Sequence, residues 1–113
     1  MTARPIVPRQ QAERDVEQAV DYYAAEGGEE VAFGFVQALQ DAYGFIGLYP
    51  HAGSLRYAYE LDLPELRVHR VKGYPFIVFY LPRAGHIDVW RVLHARRDIP
   101  TWMATGAEGT PEQ

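Results

Sequence analysis

The side chains of this 113-residue chain that are equipped for chemistry are cationic and lie mostly in its second half. Residues 66–113 carry seven basic and four acidic side chains, a net of +3, whereas residues 1–65 carry four basic and eleven acidic ones, a net of −7. A positive patch suits an anionic partner, although the acidic first half disfavours the wrapping of nucleic acid. The alternative is that these charges are merely solvated and that their uneven distribution between the two halves is due to chance. The candidate residues are Arg67, Arg70, Arg91, His94, Arg96 and Arg97.

Several other chemistries are excluded or disfavoured by composition. Cysteine is absent, which excludes disulfides, thiolate catalysis and cysteine-ligated metal, and is typical of a cytoplasmic protein. The four histidines lack the close spacing of metal ligands, so we expect no metal and no cofactor. No apolar run approaches the roughly 20 residues of a membrane span, and the first residues do not have the pattern of an export signal. We therefore expect a cytoplasmic protein without membrane association.

The strand that must position these residues runs from Tyr74 to Leu81. This apolar stretch is rich in aromatic and β-branched residues and is bounded by Gly73 and Pro82. Its length and composition favour a strand over a buried helix. Because it is apolar on both faces, other elements must cover both of its faces.

The residues before this strand predict a short strand and two helices. Arg4–Pro8 can form only a short strand, at an edge of the sheet, because of its prolines. Apolar residues at helical spacing predict a helix from Arg9 to about Ala25 and another from Glu29 to about Leu48, with Gly27 or Gly28 as a left-handed cap between them. We expect an antiparallel helix hairpin whose apolar stripe lies on a sheet.

The remaining elements are two further strands and a C-terminal turn. Residues 49–64 read as a connecting loop, Leu66–Val71 as a half-exposed strand and Ile87–His94 as the last strand, with Ile87, Val89, Arg91 and Leu93 alternating against its other residues. Asp98 could cap a short terminal turn, and Ala104–Gln113 reads as a disordered tail. The predicted fold is α+β in the order β-α-α-β-β-β, with the helix hairpin on a small antiparallel sheet, one domain over residues 1–103 and a flexible tail over 104–113.

Two segments carry a resemblance to a known family. LRVHRVKGYPFIVFY at residues 66–80 and IDVWRVLHARRDIP at residues 87–100 closely resemble the ParE branch of the RelE/ParE toxin superfamily. The connector YPHAG at residues 49–53 also looks like that family's. The resemblance extends over roughly Arg4 to Met103, nearly the whole chain.

The resemblance implies the toxin of a bacterial type II toxin-antitoxin module, a growth-arresting protein silenced by a cognate antitoxin in a hetero-oligomer. RelE-like members cleave messenger RNA in the ribosome, whereas ParE-like members poison DNA gyrase without being enzymes. The antitoxin is expected to lay an amphipathic helix and an extended segment over the groove between the helix hairpin and the sheet, with an acidic tail that complements the basic half. A degenerate toxin that survives only as an antitoxin-binding module is a further alternative.

The residues decide between the two targets. RNA cleavage needs cations around the scissile phosphate and a group that activates the ribose hydroxyl, for which His94, Arg97 and Arg91 are the candidates. However, the terminal tyrosine typical of RelE-like nucleases is missing, the chain has one lysine, and its net charge is −4. Gyrase inhibition is therefore favoured, and direct binding of nucleic acid is not expected.

The expected surface for antitoxin or target consists of cations and one tryptophan: Arg67, Arg70, Arg91, Arg96, Arg97 and Trp102. For Arg91 two roles are equally favoured: a binding residue at this surface, or a partly buried arginine paired with an acidic helix residue. His94, alone at a strand end, is more often structural than catalytic. Asp98 reads as a cap, and Trp102 reads slightly better as core cover than as an exposed contact.

Overall fold

The computed structural model describes residues 2–96 and Ile99. The elements follow in the predicted order, and their bounds are β1 Ile6–Pro8, α1 Gln10–Gly27, α2 Glu29–Leu48, β2 Arg67–Arg70, β3 Phe76–Pro82 and β4 Ile87–His94. The central strand begins at Phe76, two residues later than the sequence indicates. The predictions for Arg97, Asp98, Trp102 and the tail lie outside the described residues. Within the described part of the chain, neither helix is long and apolar enough to cross a membrane.

The four strands form one sheet in the order β1-β4-β3-β2. The pairs β2–β3 and β3–β4 are antiparallel, as expected for a meander, and β1 lies at an edge as predicted. However, β1 pairs in parallel with β4, so the sheet is mixed rather than antiparallel throughout. Strand direction at this edge depends on where the helix hairpin returns the chain, which the short apolar run of β1 does not encode.

The two helices are joined by a single glycine, Gly28. Its φ of +89° lies in the region that favours glycine, so it ends α1 and opens α2 without strain. A left-handed glycine at this junction was predicted, and so were the bounds of α2. Each helix turns one face to the sheet, with Ala12 and Ala19 buried on α1 and Phe35 and Ile46 on α2.

The sheet is covered on both faces, as the apolar β3 requires. Val78 and Tyr80 belong to the cluster on the helix side, whereas Ile77, Phe79 and Leu81 belong to a cluster on the opposite face. That second cluster is completed by residues of the connector between α2 and β2 and by Ile99, which follows β4: Tyr57, Leu61, Leu63, Leu66 and Ile99. The predicted loop therefore acts as a second covering layer.

A β-bulge in β4 overturns the predicted alternation along that strand. Phe79 pairs with Arg91 but Tyr80 pairs with Val89, which leaves Trp90 as an extra residue on β4. One extra residue reverses the side-chain alternation beyond it. Val89 therefore packs on the helix side, while Leu93 joins Trp90 on the opposite face.

Candidate partner-binding surfaces

A groove opens between α1, the start of β3 and the end of β4; we call it the C-terminal groove. Its volume is about 440 Å³, and it is lined by Asp15, Gln18, Ala19, Tyr22, Phe76, Val92, Leu93, His94 and Arg96. Tyr22 is 59% exposed at one wall. Arg96, which follows the last strand, is exposed and brings a cation to a groove whose floor is largely apolar.

A buried ion pair lies beneath this groove. Nε and Nη2 of Arg91 each donate to the carboxylate of Asp15 at 2.8 Å, and the Val92 N–H donates to the same carboxylate at 3.0 Å. Arg91 is 1% exposed and Asp15 5%. Arg91 thus has the paired role that the sequence left open, and its guanidinium positions α1 on the sheet rather than lying at the surface.

Tyr43 is a partly buried tyrosine near the Asp15 carboxylate of this ion pair. Burial, followed by the nearby carboxylates of Asp15 and Glu13, raises the pKa of Tyr43 to about 12. Burial disfavours the charged phenolate, and the carboxylates add like-charge repulsion. In such an environment an unpaired charge at Asp15 or Arg91 would be costly.

His94 organises the chain after β4. Its Nδ1 accepts a hydrogen bond from the Arg96 N–H at 3.0 Å, and its ring packs edge-on against Phe76 with centroids 5.3 Å apart. This nitrogen is therefore occupied by the backbone. Two of the three candidates for RNA cleavage, His94 and Arg91, therefore make structural contacts. The third, Arg97, lies outside the described residues.

The other predicted cations lie at the β2 edge of the sheet. Arg67 Nη1 donates to the carbonyl oxygens of His51 at 2.9 Å and Gly53 at 2.8 Å, which ties the connector to β2. Its buried Nε has no hydrogen-bond partner among the described residues. Arg70 is exposed and lines a separate cavity. Arg70 and Arg96 therefore belong to different surfaces, so those of the predicted cations that the structure describes do not form a single patch.

Sequence reasoning missed a charged cluster at the start of β4. The Asp88 carboxylate accepts two hydrogen bonds from Arg9 at 3.0 Å, and bonds from Arg83 at 2.9 Å and Trp90 at 3.2 Å. The Arg9 guanidinium also lies 4.0 Å from the Trp90 ring centroid. Burial opposes ionisation of Asp88, but the bonds from Arg9 and Arg83 outweigh it and lower the pKa of this carboxyl. The sequence feature that could have indicated this cluster is Asp88 itself, a single aspartate at the otherwise apolar start of a strand.

The arrangement is a helix hairpin on a small mixed sheet, with cations on open surfaces, which is the class of fold that the sequence resemblance led us to expect. The chain belongs to the family described as ParE toxin of type II toxin-antitoxin system, parDE, whose model matches residues 6–99. No curated protein is similar enough to count as a match.

A solved structure has the same fold. It is described as the chromosomal ParDE TA system from P. aeruginosa, with a TM-score of 0.68 and 18% sequence identity. The alignment covers 81% of this chain and 96% of that one. At this identity the likeness concerns the fold alone.

Proposed function

We propose that this ParE-family toxin inhibits DNA gyrase and is neutralised by an antitoxin that occupies the C-terminal groove. Family membership supports the toxin and its antitoxin partner. The observation that carries the choice of target is the burial of Arg91, which is 1% exposed and paired with Asp15. A cation needed at a scissile phosphate has to reach it, and this one is enclosed.

His94 adds a second argument against RNA cleavage by this chain. Its Nδ1 accepts the Arg96 backbone N–H, so one of the two ring nitrogens is committed to the turn after β4. A general base has to lie within hydrogen-bond reach of the hydroxyl that it activates. Gyrase inhibition, by contrast, requires only surface contacts, which the exposed residues around the groove provide.

The proposed occupant of the groove is one amphipathic helix of the antitoxin, followed by an acidic segment. The apolar face of such a helix would contact Ala19, Tyr22 and Phe76 in the groove. Arg96 is exposed at the groove, and its positive charge would complement an acidic segment. Burying the exposed part of Tyr22 would contribute to affinity, since aromatic residues dominate many interfaces.

The test is a gyrase assay with purified toxin and plasmid DNA. We expect loss of supercoiling, accumulation of linear gyrase-linked DNA, and reversal of both by the cognate antitoxin. Arg96→Glu should weaken the toxin–antitoxin complex about tenfold or more, since like charges then face each other. Arg14→Glu makes the same charge change on the exposed surface of α1 and should leave the affinity close to that of the unmodified chain.

Three outcomes would contradict the proposal. No effect on gyrase at large toxin excess, together with messenger RNA cleavage that His94→Ala abolishes, would establish the ribonuclease alternative. Absence of growth arrest on expression without antitoxin would identify a degenerate toxin. Equal antitoxin affinity of the Arg96→Glu and Arg14→Glu variants would place the antitoxin elsewhere.

A further inference from the structure

A second cavity opens beside β2, on the face of the sheet that points away from the helices; we call it the cation-lined cavity. Its volume is about 600 Å³, and two buried residues of its wall, Val68 and Ile77, belong to the hydrophobic cluster on that face. Arg56, Arg70 and Lys72 also line it, and none of its lining residues is acidic. All three cations are exposed. The cavity is therefore a positive site that is open to solvent.

The described part of the chain does not neutralise these cations. The ion pairs within residues 2–96 and Ile99 involve other arginines, so no carboxylate there pairs with Arg70 or Lys72. Arg56 instead lies over the Tyr57 ring, at 4.9 Å from its centroid. Like charges close together repel one another, so an acidic group among them would be stabilised by all three. The cavity thus suits an acidic occupant.

The chain itself arrives on this face of the sheet after β4. Ile99 is buried in the same hydrophobic cluster as Leu93 and Ile77. Leu93 pairs with Ile77, and Ile77 pairs with Arg70, so the three residues lie in a row across β4, β3 and β2. Neighbouring strands are about 4.8 Å apart, which places the backbone at Arg70 about 10 Å from β4. The segment that follows Ile99 therefore starts close to the cation-lined cavity.

That segment is acidic. Residues 100–113 contain Glu108 and Glu112 and neither lysine nor arginine. Glu108 lies nine positions beyond Ile99, and a chain of that length spans up to about 30 Å, which is more than the path requires. Exposed ion pairs are individually weak. However, the segment is tethered to the fold, so its effective concentration at the cavity is about millimolar, and weak pairs become populated.

We propose that the acidic segment of residues 100–113 docks in the cation-lined cavity of its own chain and excludes other acidic ligands from it. Glu108 and Glu112 contact the three cations, so two negative charges meet three positive ones. The C-terminal groove, by contrast, opens on the helix side of the sheet. This contact therefore depends neither on the antitoxin nor on gyrase.

The test measures paramagnetic broadening of amide signals in the full-length chain. Because cysteine is absent from the sequence, Thr110→Cys provides a single attachment point for a nitroxide between the two glutamates. We expect the amide signals of Ser54, Arg70 and Lys72 to lose most of their intensity and to regain it when the nitroxide is reduced. The signal of Gln18, in the C-terminal groove, should keep its intensity. High salt should restore all the lost signals, since it screens exposed charges.

Matched variants show whether the glutamates are responsible. Glu108→Gln combined with Glu112→Gln should abolish the broadening. Glu26→Gln combined with Glu30→Gln makes the same change of net charge at exposed positions of the helix hairpin and should leave the broadening unchanged.

A labelled hexaglutamate peptide tests the exclusion of external ligands. By fluorescence anisotropy at low salt, the variant without the two tail glutamates should bind the peptide about threefold or more tightly than the unmodified chain, because the tethered competitor is lost. The control variant with Glu26 and Glu30 replaced should bind it as the unmodified chain does.

Four results would overturn the proposal. Equal broadening at Ser54 and Gln18 would mean that the segment has no preference for the cavity, and broadening that survives the loss of Glu108 and Glu112 would mean that their charges are not involved. Equally strong broadening of an isotope-labelled chain by a separate nitroxide-labelled chain would identify a contact between two copies. Equal hexaglutamate affinities of the two double variants would leave the cavity open to an external acidic partner. Because gyrase and antitoxin are absent from these measurements, their failure leaves the proposed function unaffected.

Discussion

The carboxylate of Asp15 on α1 and the guanidinium of Arg91 on β4 form a bidentate ion pair, with both N···O distances at 2.8 Å. The side chains are 4% and 1% exposed, and 76 positions separate them in the sequence. The same carboxylate accepts the Val92 N–H. This pair fixes the first helix on the last strand beside the C-terminal groove.

Removing one partner of this pair should be strongly destabilising. We expect Asp15→Ala to lower the free energy of unfolding by about 3–5 kcal/mol, because it removes the carboxylate that forms a bidentate ion pair with the buried Arg91 guanidinium. Urea denaturation measures the change. Asp21→Ala removes an exposed carboxylate from the same helix and should cost less than about 1 kcal/mol.

Replacing both partners should restore part of the lost stability. Asp15→Leu combined with Arg91→Met removes both charges of the pair, so the double variant should be more stable than Asp15→Ala. If Asp15→Ala and Asp21→Ala cost the same, the ion pair does not stabilise the fold in the way described.

Two glycines of α2 should respond to alanine in opposite directions. A Cβ at Gly44 would meet no atom within 4 Å, so Gly44→Ala should stabilise the protein by about 0.5–1 kcal/mol through helix propensity. A Cβ at Gly47 would lie 2.8 Å from the backbone oxygen of Arg4, whose N–H donates to the Gly47 carbonyl. Gly47→Ala should therefore lower the melting temperature, whereas Gly44→Ala should raise it. A rise for both variants would show that the N-terminal segment moves away from α2 without cost.

Asp88 should give the fold a pH dependence in the acid range. Burial opposes its ionisation, but the bonds from Arg9 and Arg83 prevail, so the pKa of Asp88 is lower in the folded state than its ordinary 3.8. The stabilisation is therefore fully present above that ordinary value and is lost as the pH falls through the lowered one. At neutral pH, Asp88→Asn should cost roughly 1.5–3 kcal/mol, and its deficit relative to the unmodified chain should shrink below about pH 4.

Denaturation at neutral and acid pH measures this dependence. Asp41→Asn changes an exposed carboxylate on α2 and serves as the control, with a small effect at both pH values. A deficit of Asp88→Asn that persists unchanged in acid would mean that the ionised carboxylate is not the stabilising form.

Local patterns in the sequence were sufficient for the elements of this fold. The bounds of α2, the glycine between the helices and the faces of β2 were predicted because helical spacing, glycine conformation and strand alternation are encoded within a few residues. The toxin family was likewise identified from contiguous segments and is confirmed by the family model.

Relationships between distant residues were decided by tertiary packing. The parallel pairing of β1, the bulge at Trp90 and the bonds from Arg9 to Asp88 join segments about 80 positions apart or depend on a neighbouring strand. Arg91 is the clearest case, because its spacing allowed a surface role and a buried one equally. The approach of Asp15 from α1 decided for the buried role, since a desolvated guanidinium is stable where a carboxylate meets it with matching geometry.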